Sequence, residues 1–172
     1  AGLPADYIAS LKKTDNGGLI VTTKESDYPL VMQNAVNAET RRKMMLAYLS
    51  RGTQTNNSKL LSEAVSLRSK IASLMGYKNW ADYKTDGRMA QNGANVLNFL
   101  NGLKSKLAVR DQSDLAKLLA FKKELDPSAT VLNQSDISYL SYQLQKRDFS
   151  LDNEKIREYF PADVVISGLF KV

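Results

Sequence analysis

The run from Leu60 to Leu74 constrains this chain more than any other. Leu60, Ala64, Leu67, Ile71 and Leu74 follow one another at spacings of three and four residues, the spacing of one face of an α-helix and of no β-strand. A short side-chain oxygen just ahead of the run, on Asn57 or Ser58, is the expected N-cap, because it can accept from a backbone N–H that the first turn leaves unpaired. Gly76 closes the run, at a place where helices end in a left-handed conformation that glycine enters without a Cβ clash. A second amphipathic stretch precedes it. Met44, Met45, Ala47, Tyr48 and Leu49 make an apolar face, while Arg41, Arg42, Lys43, Ser50 and Arg51 are expected to stay in water and Gly52 to end the helix. Residues 38–76 thus read as a central helix pair.

The flanking sequence extends the helical reading. In the lead-in, residues 1–37, Pro4 stands at a first helical position, with Tyr7, Ile8 and Leu11 after it at helical spacing. Asp15-Asn16-Gly17-Gly18 is a turn signal; it opens like a calcium loop but lacks the later ligands and the closing glutamate. Leu19 to Thr23 is the best strand candidate and has no obvious hairpin partner, so a short edge or an extended crossing is expected. Asp27-Tyr28-Pro29 starts a helix carrying Leu30, Val31 and Met32.

Beyond the pair, residues 79–172 read as further helices. Asn79 caps a short helix in which Trp80 and Tyr83 are packing anchors. After a break at Asn92-Gly93, Val96, Phe99, Leu100, Leu103 and Leu107, then Leu115, Leu118, Leu119, Phe121 and Leu125, repeat with helical period; periodicity leaves open one helix or two jointed at Arg110 to Ser113. Asp126-Pro127 stops the run. Ser135-Asp136 then reads as a cap for a helix carrying Ile137, Leu140 and Leu144, and Asp152 opens a last polar turn halted by Pro161. The tail, Ala162 to Val172, is apolar through Val164, Val165, Ile166, Leu169 and Phe170, where chain ends are normally polar and frayed. The expected class is mainly α: a single multi-helix domain or fragment over 1–172, with at most one short strand or hairpin.

The composition is most informative in what it omits. The chain has no histidine and no cysteine, which removes the commonest general base, the commonest zinc ligand and every thiolate. A metal site would have to be all-oxygen, and catalysis would have to use carboxylate, lysine, tyrosine or serine. No G-x-x-x-x-G-K or G-x-G-x-x-G run occurs, and the Ser66-to-Lys70 stretch approaches S-x-x-K only as polar helix faces commonly do. No apolar run approaches the roughly 18 residues that span a bilayer, and the first dozen residues do not form a signal peptide. A net charge of +6 favours acidic partners. The basic residues, however, are scattered as Arg41-Arg42-Lys43, Lys104 with Lys106, Lys122-Lys123 and Lys146-Arg147 on different helices. No nucleic-acid partner and no membrane are therefore expected, and no residue is assigned to catalysis or to a metal; substrate-binding residues are not identifiable from the residues alone.

Taken together in order, several segments resemble the thimet oligopeptidase, neurolysin and saccharolysin family of zinc metallopeptidases. They are Gly2-Leu3-Pro4 with Tyr7-Ile8, Val21-Thr22, Asp27 to Met32, Asn37 to Met44, Ala47, Arg51, Asn57, Leu60-Leu61, Leu67-Arg68, Ala72 and Leu74 to Tyr77. Ala81 to Tyr83, Arg88 to Ala90, Asn95-Val96, Phe99-Leu100, Asp136 with Tyr139-Leu140, Tyr159 to Pro161 and Gly168 to Phe170 continue the match. The resemblance covers essentially the whole chain and implies part of the helical wall of a neurolysin-like fold. In that family zinc is held by an H-E-x-x-H helix and a downstream glutamate, two histidines one turn apart facing one metal and the intervening glutamate activating its water. With no histidine, none of these roles passes to a residue of this chain.

The resemblance implies a non-catalytic segment of a zinc-dependent oligopeptidase, lying before the metal motif and inactive alone. Zinc and short peptides would then belong to the complete enzyme, and the family's usual place is the cytoplasm. The first residue, Ala1, is not methionine, which fits a processed or cut chain. The apolar tail is expected to meet the remainder of the catalytic domain, or to self-associate through Val164, Val165, Ile166, Leu169 and Phe170. The competing reading is a stand-alone helical module that binds peptide or protein on a scaffold that has lost its metal site.

Overall fold

The structure is a computed structural model describing residues 1–171. Among the described residues it is built from nine helices and one two-stranded sheet, which confirms the mainly α class. The chain forms two compact units: residues 1–49 with 117 onward, and residues 50–116. The helices of the 38–76 stretch divide between them, Ala38–Leu49 in the first and Asn57–Leu74 in the second.

The first unit opens with α1 (Ala5–Ser10), preceded by Pro4 in extended backbone. Strands β1 (Lys12–Lys13) and β2 (Leu19–Ile20) form an antiparallel hairpin with Lys12 opposite Ile20 and Lys13 opposite Leu19. The strand foreseen at Leu19 therefore does have a hairpin partner. It is a pair of lysines with no β propensity of their own, brought into register by the turn at Asp15 to Gly18. Helix α2 (Tyr28–Asn34) follows with Pro29 in its first turn. Its N-cap Asp27 turns its carboxylate away from the helix to accept from the Thr22 backbone N–H at 3.0 Å and the Thr22 hydroxyl at 2.5 Å.

Helices α2, α3 (Ala38–Leu49) and α7 (Gln134–Phe149) pack on one another and form the heart of this unit. Val31, Met32, Ala35 and Met44 are buried there with Leu3, Tyr7, Tyr28 and Met45 against them. A second cluster joins Leu118 and Phe121, from the end of α6 (Gly93–Leu125), to Leu140 of α7. The stripe of α3 that faces inward is Arg41, Met44, Met45 and Tyr48, not the stripe running to Leu49, which is 60% exposed. Arg41, expected in water, is only 4% exposed. Its position obeys helical period with Met44, Met45 and Tyr48; its charge concealed that from a reading by polarity.

The remaining elements of this unit are short. Helix α7 starts two to three residues earlier than expected, at Gln134: its N-cap is Asn133, and Ser135 and Asp136, expected to cap it, are its second and third helical residues. Helix α8 (Asn153–Arg157) is capped as foreseen by Asp152, which accepts from the Glu154 N–H at 3.1 Å. Helix α9 (Ala162–Leu169) follows Pro161, and Val172, the last residue of the apolar tail, lies outside the described residues.

In the second unit, α4 (Asn57–Leu74) carries the ladder that dominates the sequence. Its N-cap is Asn56 rather than Asn57 or Ser58. Its end is a Schellman motif: the Tyr77 N–H reaches the Ala72 carbonyl at 2.9 Å and the Gly76 N–H the Ser73 carbonyl at 3.1 Å, with Gly76 at φ +81°. Helix α5 (Trp80–Thr85) is capped by the Asn79 side chain, which accepts from the Asp82 N–H at 2.9 Å. Trp80 and Tyr83 are half-buried, their ring centroids 5.4 Å apart, and Tyr77 stands 5.3 Å from Tyr83. Helix α6 passes unbroken through Arg110 to Ser113, so the two apolar runs make one helix, ending before Asp126-Pro127. Inside the turn of that run, Arg110 and Asp114 pair at 2.8 Å, four residues apart, and support the helix where a joint was open.

Candidate functional site

The strongest concentration of buried charge lies where α3, α6 and α7 meet in the first unit. Asp136 is 1% exposed. Its Oδ1 accepts from Arg41 Nη2 at 2.7 Å, and its Oδ2 accepts from Lys122 Nζ at 2.6 Å and from the Asn133 backbone N–H at 3.2 Å. Arg41 spends its other donors on main chain: Nη1 on the carbonyls of Ala35 and Val36 at 2.8 and 2.9 Å, and Nε on the Ser135 carbonyl at 3.2 Å. The guanidinium also lies 4.3 Å from the centroid of the Tyr139 ring, a cation–π placement. Lys122 adds a bond to the Val131 carbonyl at 2.8 Å.

Each part of this cluster has a local cause. The third helical position points Asp136 back at its own N-cap, where a carboxylate satisfies a free N–H and favours the helix dipole. The fork of Arg41 matches one carboxylate oxygen and three carbonyls, those of Ala35 and Val36 just past α2 and that of Ser135 in the first turn of α7, which a lysine could not span. Burial pushes the Asp136 carboxyl up, but the hydrogen bonds from Lys122, Arg41 and Asn133 outweigh it and hold it below the ordinary carboxylate range.

Chemically this is a saturated junction. Both oxygens of Asp136 are occupied by donors, so the carboxylate is neither a poised base nor a free ligand. Concave surface lies on either side. One hollow of about 580 Å³ is lined by Glu39, Arg42, Met45, Leu46 and Asn133 to Asp136, and another of about 360 Å³ by Val36, Lys122, Leu125 and Tyr139. Glu39 at the first hollow is bound in a two-pronged pair to Arg42 at 2.7 and 2.8 Å, which holds its carboxyl below the usual range. In the second unit, a hollow of about 550 Å³ between α5 and the start of α6 contains Asp82. That carboxylate accepts from the Asn79 side chain at 2.7 Å and the Gly93 N–H at 2.9 Å.

The residues present do not fit the zinc site that the family resemblance implies. The chain supplies no imidazole and no thiolate, and among the described residues no three carboxylates converge to replace them. No step is therefore derived through a metal. Sequence reasoning missed the Arg41–Asp136–Lys122 junction. Its members lie 95 and 14 residues apart, and the only local signal was that Arg41 shares a helical stripe with Met44 and Tyr48.

The apolar surface is the other prominent feature. On α9 and at its C-cap, Val164, Val165, Ile166, Leu169 and the cap residue Phe170 are 49–82% exposed. On α4, Leu60, Leu67, Ile71 and Leu74 are 43–87% exposed, with Ala72 alone fully covered. Exposed apolar faces of this extent mark surfaces that meet other protein.

The arrangement defines a class: helical scaffold, with its buried charges committed to holding helices together. The sequence model of peptidase family M3 matches residues 31–172, and the chain belongs to that family. It is 31% identical over its full length to a probable thimet oligopeptidase of Arabidopsis thaliana and 31% identical to oligopeptidase A of Escherichia coli K12, covering 24% and 27% of those proteins. Over 88% of the chain it is 34% identical to saccharolysin of Saccharomyces cerevisiae, covering 22% of it. The chain thus spans about a quarter of the length of the curated relatives it matches.

Proposed function

We propose that this chain is a non-catalytic helical segment of an oligopeptidase that, when whole, uses zinc to hydrolyse short peptides, and that the segment by itself is inactive. The observation that carries the reading is the family match along the chain combined with a sequence that holds no histidine, the residue type on which an H-E-x-x-H centre depends. In the whole enzyme these helices form wall and exclude large substrates; they do no bond chemistry. The exposed faces of α9 and α4 are covered there by the remainder of the same polypeptide, which supplies the apolar partner that the relatives' greater length makes available. No helix among the described residues is long and apolar enough to cross a membrane, and a cytoplasmic location belongs to the proposal.

A zinc titration of peptidase activity tests it, with a short quenched fluorescent peptide, on the 172-residue chain and on the longest product of the same gene. Activity in the longer product alone is the expected result. Zinc-dependent hydrolysis by the 172-residue chain would overturn the assignment. Inactivity of both would shift the function to a stand-alone module binding peptide or protein through its exposed helical faces.

A further inference from the structure

Three asparagines in this chain are followed by glycine: Asn16-Gly17, Asn92-Gly93 and Asn101-Gly102. This dipeptide can modify itself without an enzyme. The glycine backbone nitrogen attacks the asparagine side-chain carbon Cγ, because no Cβ on the glycine blocks the approach. A bond forms between that nitrogen and Cγ, and the bond from Cγ to Nδ2 breaks. The proton of the attacking N–H leaves with the side-chain nitrogen as ammonia. The resulting five-membered imide takes up one water and opens at either carbonyl, to aspartate or to isoaspartate. Water is the only co-reactant and nothing is oxidised or reduced.

The attack requires a glycine nitrogen free to swing toward Cγ, and the structure treats the three pairs differently. At Asn92 both groups are engaged: the Gly93 N–H donates to Asp82 Oδ1 at 2.9 Å, and Asn92 Oδ1 accepts from the Asn95 N–H at 2.8 Å. The site is also packed, since a Cβ on Gly93 would lie 3.0 Å from Ala81 Cβ. Asn101 and Gly102 lie inside α6, where the helical hydrogen bond holds the peptide away from the side chain before it. Asn16 and Gly17 sit at the tip of the hairpin, in a stretch exposed from Lys12 to Ile20. Gly17 has φ +80° and open space where a Cβ would be. What holds this tip is local and wet: the Gly17 N–H to the Thr14 carbonyl at 2.9 Å, and the Thr14 hydroxyl to Asn16 Oδ1 at 2.6 Å. The ladder behind it is two residues long, too short to resist opening by itself.

We propose that Asn16 is a site of spontaneous deamidation and isoaspartate formation, and that the fold protects the other two Asn-Gly pairs. The product changes the hairpin. It sets a new carboxylate beside Asp15, and in the isoaspartyl form it adds one backbone carbon to a turn whose closure depends on the Thr14 N–H meeting the Gly18 carbonyl at 2.8 Å.

The test is to incubate the purified 172-residue chain at mildly alkaline pH, in native buffer and in concentrated urea, and to follow each Asn-Gly peptide by mass spectrometry. Isoaspartate is read separately, by enzymatic methyl transfer from S-adenosylmethionine. In native buffer Asn16 should convert at least about tenfold faster than Asn92 or Asn101, because Asn92-Gly93 must first leave its packed, hydrogen-bonded turn and Asn101-Gly102, though exposed, must first break helical hydrogen bonds of α6. In urea the three rates should converge. Equal native rates, or Asn92 or Asn101 reacting first, would overturn the proposal. So would a preference for Asn16 that persists unchanged in urea, since local sequence rather than fold would then be its cause.

Discussion

Replacing Asp136 by alanine should strongly destabilise the first unit. The side chain is 1% exposed and accepts from three donors belonging to α3, α6 and the N-terminus of α7. Without it, Arg41 remains 4% exposed with Nη2 lacking its acceptor, a cation buried without its counter-charge. Breaking a buried pair in this way costs about 3–5 kcal/mol, and loss of the bond to the Asn133 N–H adds up to about 1 kcal/mol of capping. Lys122 contributes less, because its side chain is 18% exposed and keeps the Val131 carbonyl. Urea unfolding followed by far-ultraviolet circular dichroism would read the change. With an m-value of about 2 kcal/mol per molar, the midpoint should fall by about 2 M. A cycle with Arg41→Ala should be sub-additive by about 1–3 kcal/mol, since either change alone already breaks the pair. A loss under about 1 kcal/mol at unchanged m, or strict additivity with Arg41→Ala, would refute the junction as the element that ties the three helices together.

Three further outcomes are expected. The Asp136 carboxyl is depressed in the folded state against burial by its bonds to Lys122 and Arg41, so the stability it provides is fully present above the ordinary aspartate value of about 4 and drains away as pH falls below it. Asp136→Asn should therefore show a flatter acid limb than the unsubstituted chain in urea midpoints measured from neutral pH downward. Gly2→Ala should detach the N-terminal segment, because Gly2 has φ +94° and its Cβ would stand 2.2 Å from the Asn34 carbonyl oxygen. The left-handed backbone alone costs an alanine about 1–2 kcal/mol, and hydrogen exchange at the Val36 amide, bonded to the Ala1 carbonyl at 3.2 Å, should lose its protection while α3 keeps its own. The isolated chain should self-associate through α9, with light scattering that rises with concentration and binding of a hydrophobic dye. Val165→Asp with Phe170→Ser should suppress both signals, and a monomer at high concentration that binds no dye would count against an apolar contact surface there.

Helix existence and type were legible wherever an apolar period ran long. The ladder from Leu60 to Leu74, the caps Asn79 and Asp152, and the stop at Asp126-Pro127 all appear in the structure as read. The partner of β2 was not legible, since Lys12-Lys13 has no strand character and pairs only because the intervening turn closes. The direction of α3 was read by polarity, which placed Arg41 in water. Position along the helix would have placed it with Met44, Met45 and Tyr48, and only its four main-chain and carboxylate partners explain how a guanidinium can be there.

From the sequence by itself came the helical class, the resemblance to the thimet oligopeptidase family and the lack of any imidazole for a zinc centre, because period, capping chemistry and residue type are local properties that need no third dimension. The tertiary structure alone decided that Arg41, Lys122 and Asp136 meet, that the ladder of α4 is largely uncovered within its unit, and that of the three Asn-Gly pairs only Asn16-Gly17 lies on a hairpin tip, outside helix and packed turn. Those outcomes depend on which distant segments share a volume. A hydrogen-bonded ion pair across 95 residues is stabilised by the packing that brings its ends together, and no stretch of chain shorter than that loop carries its signature.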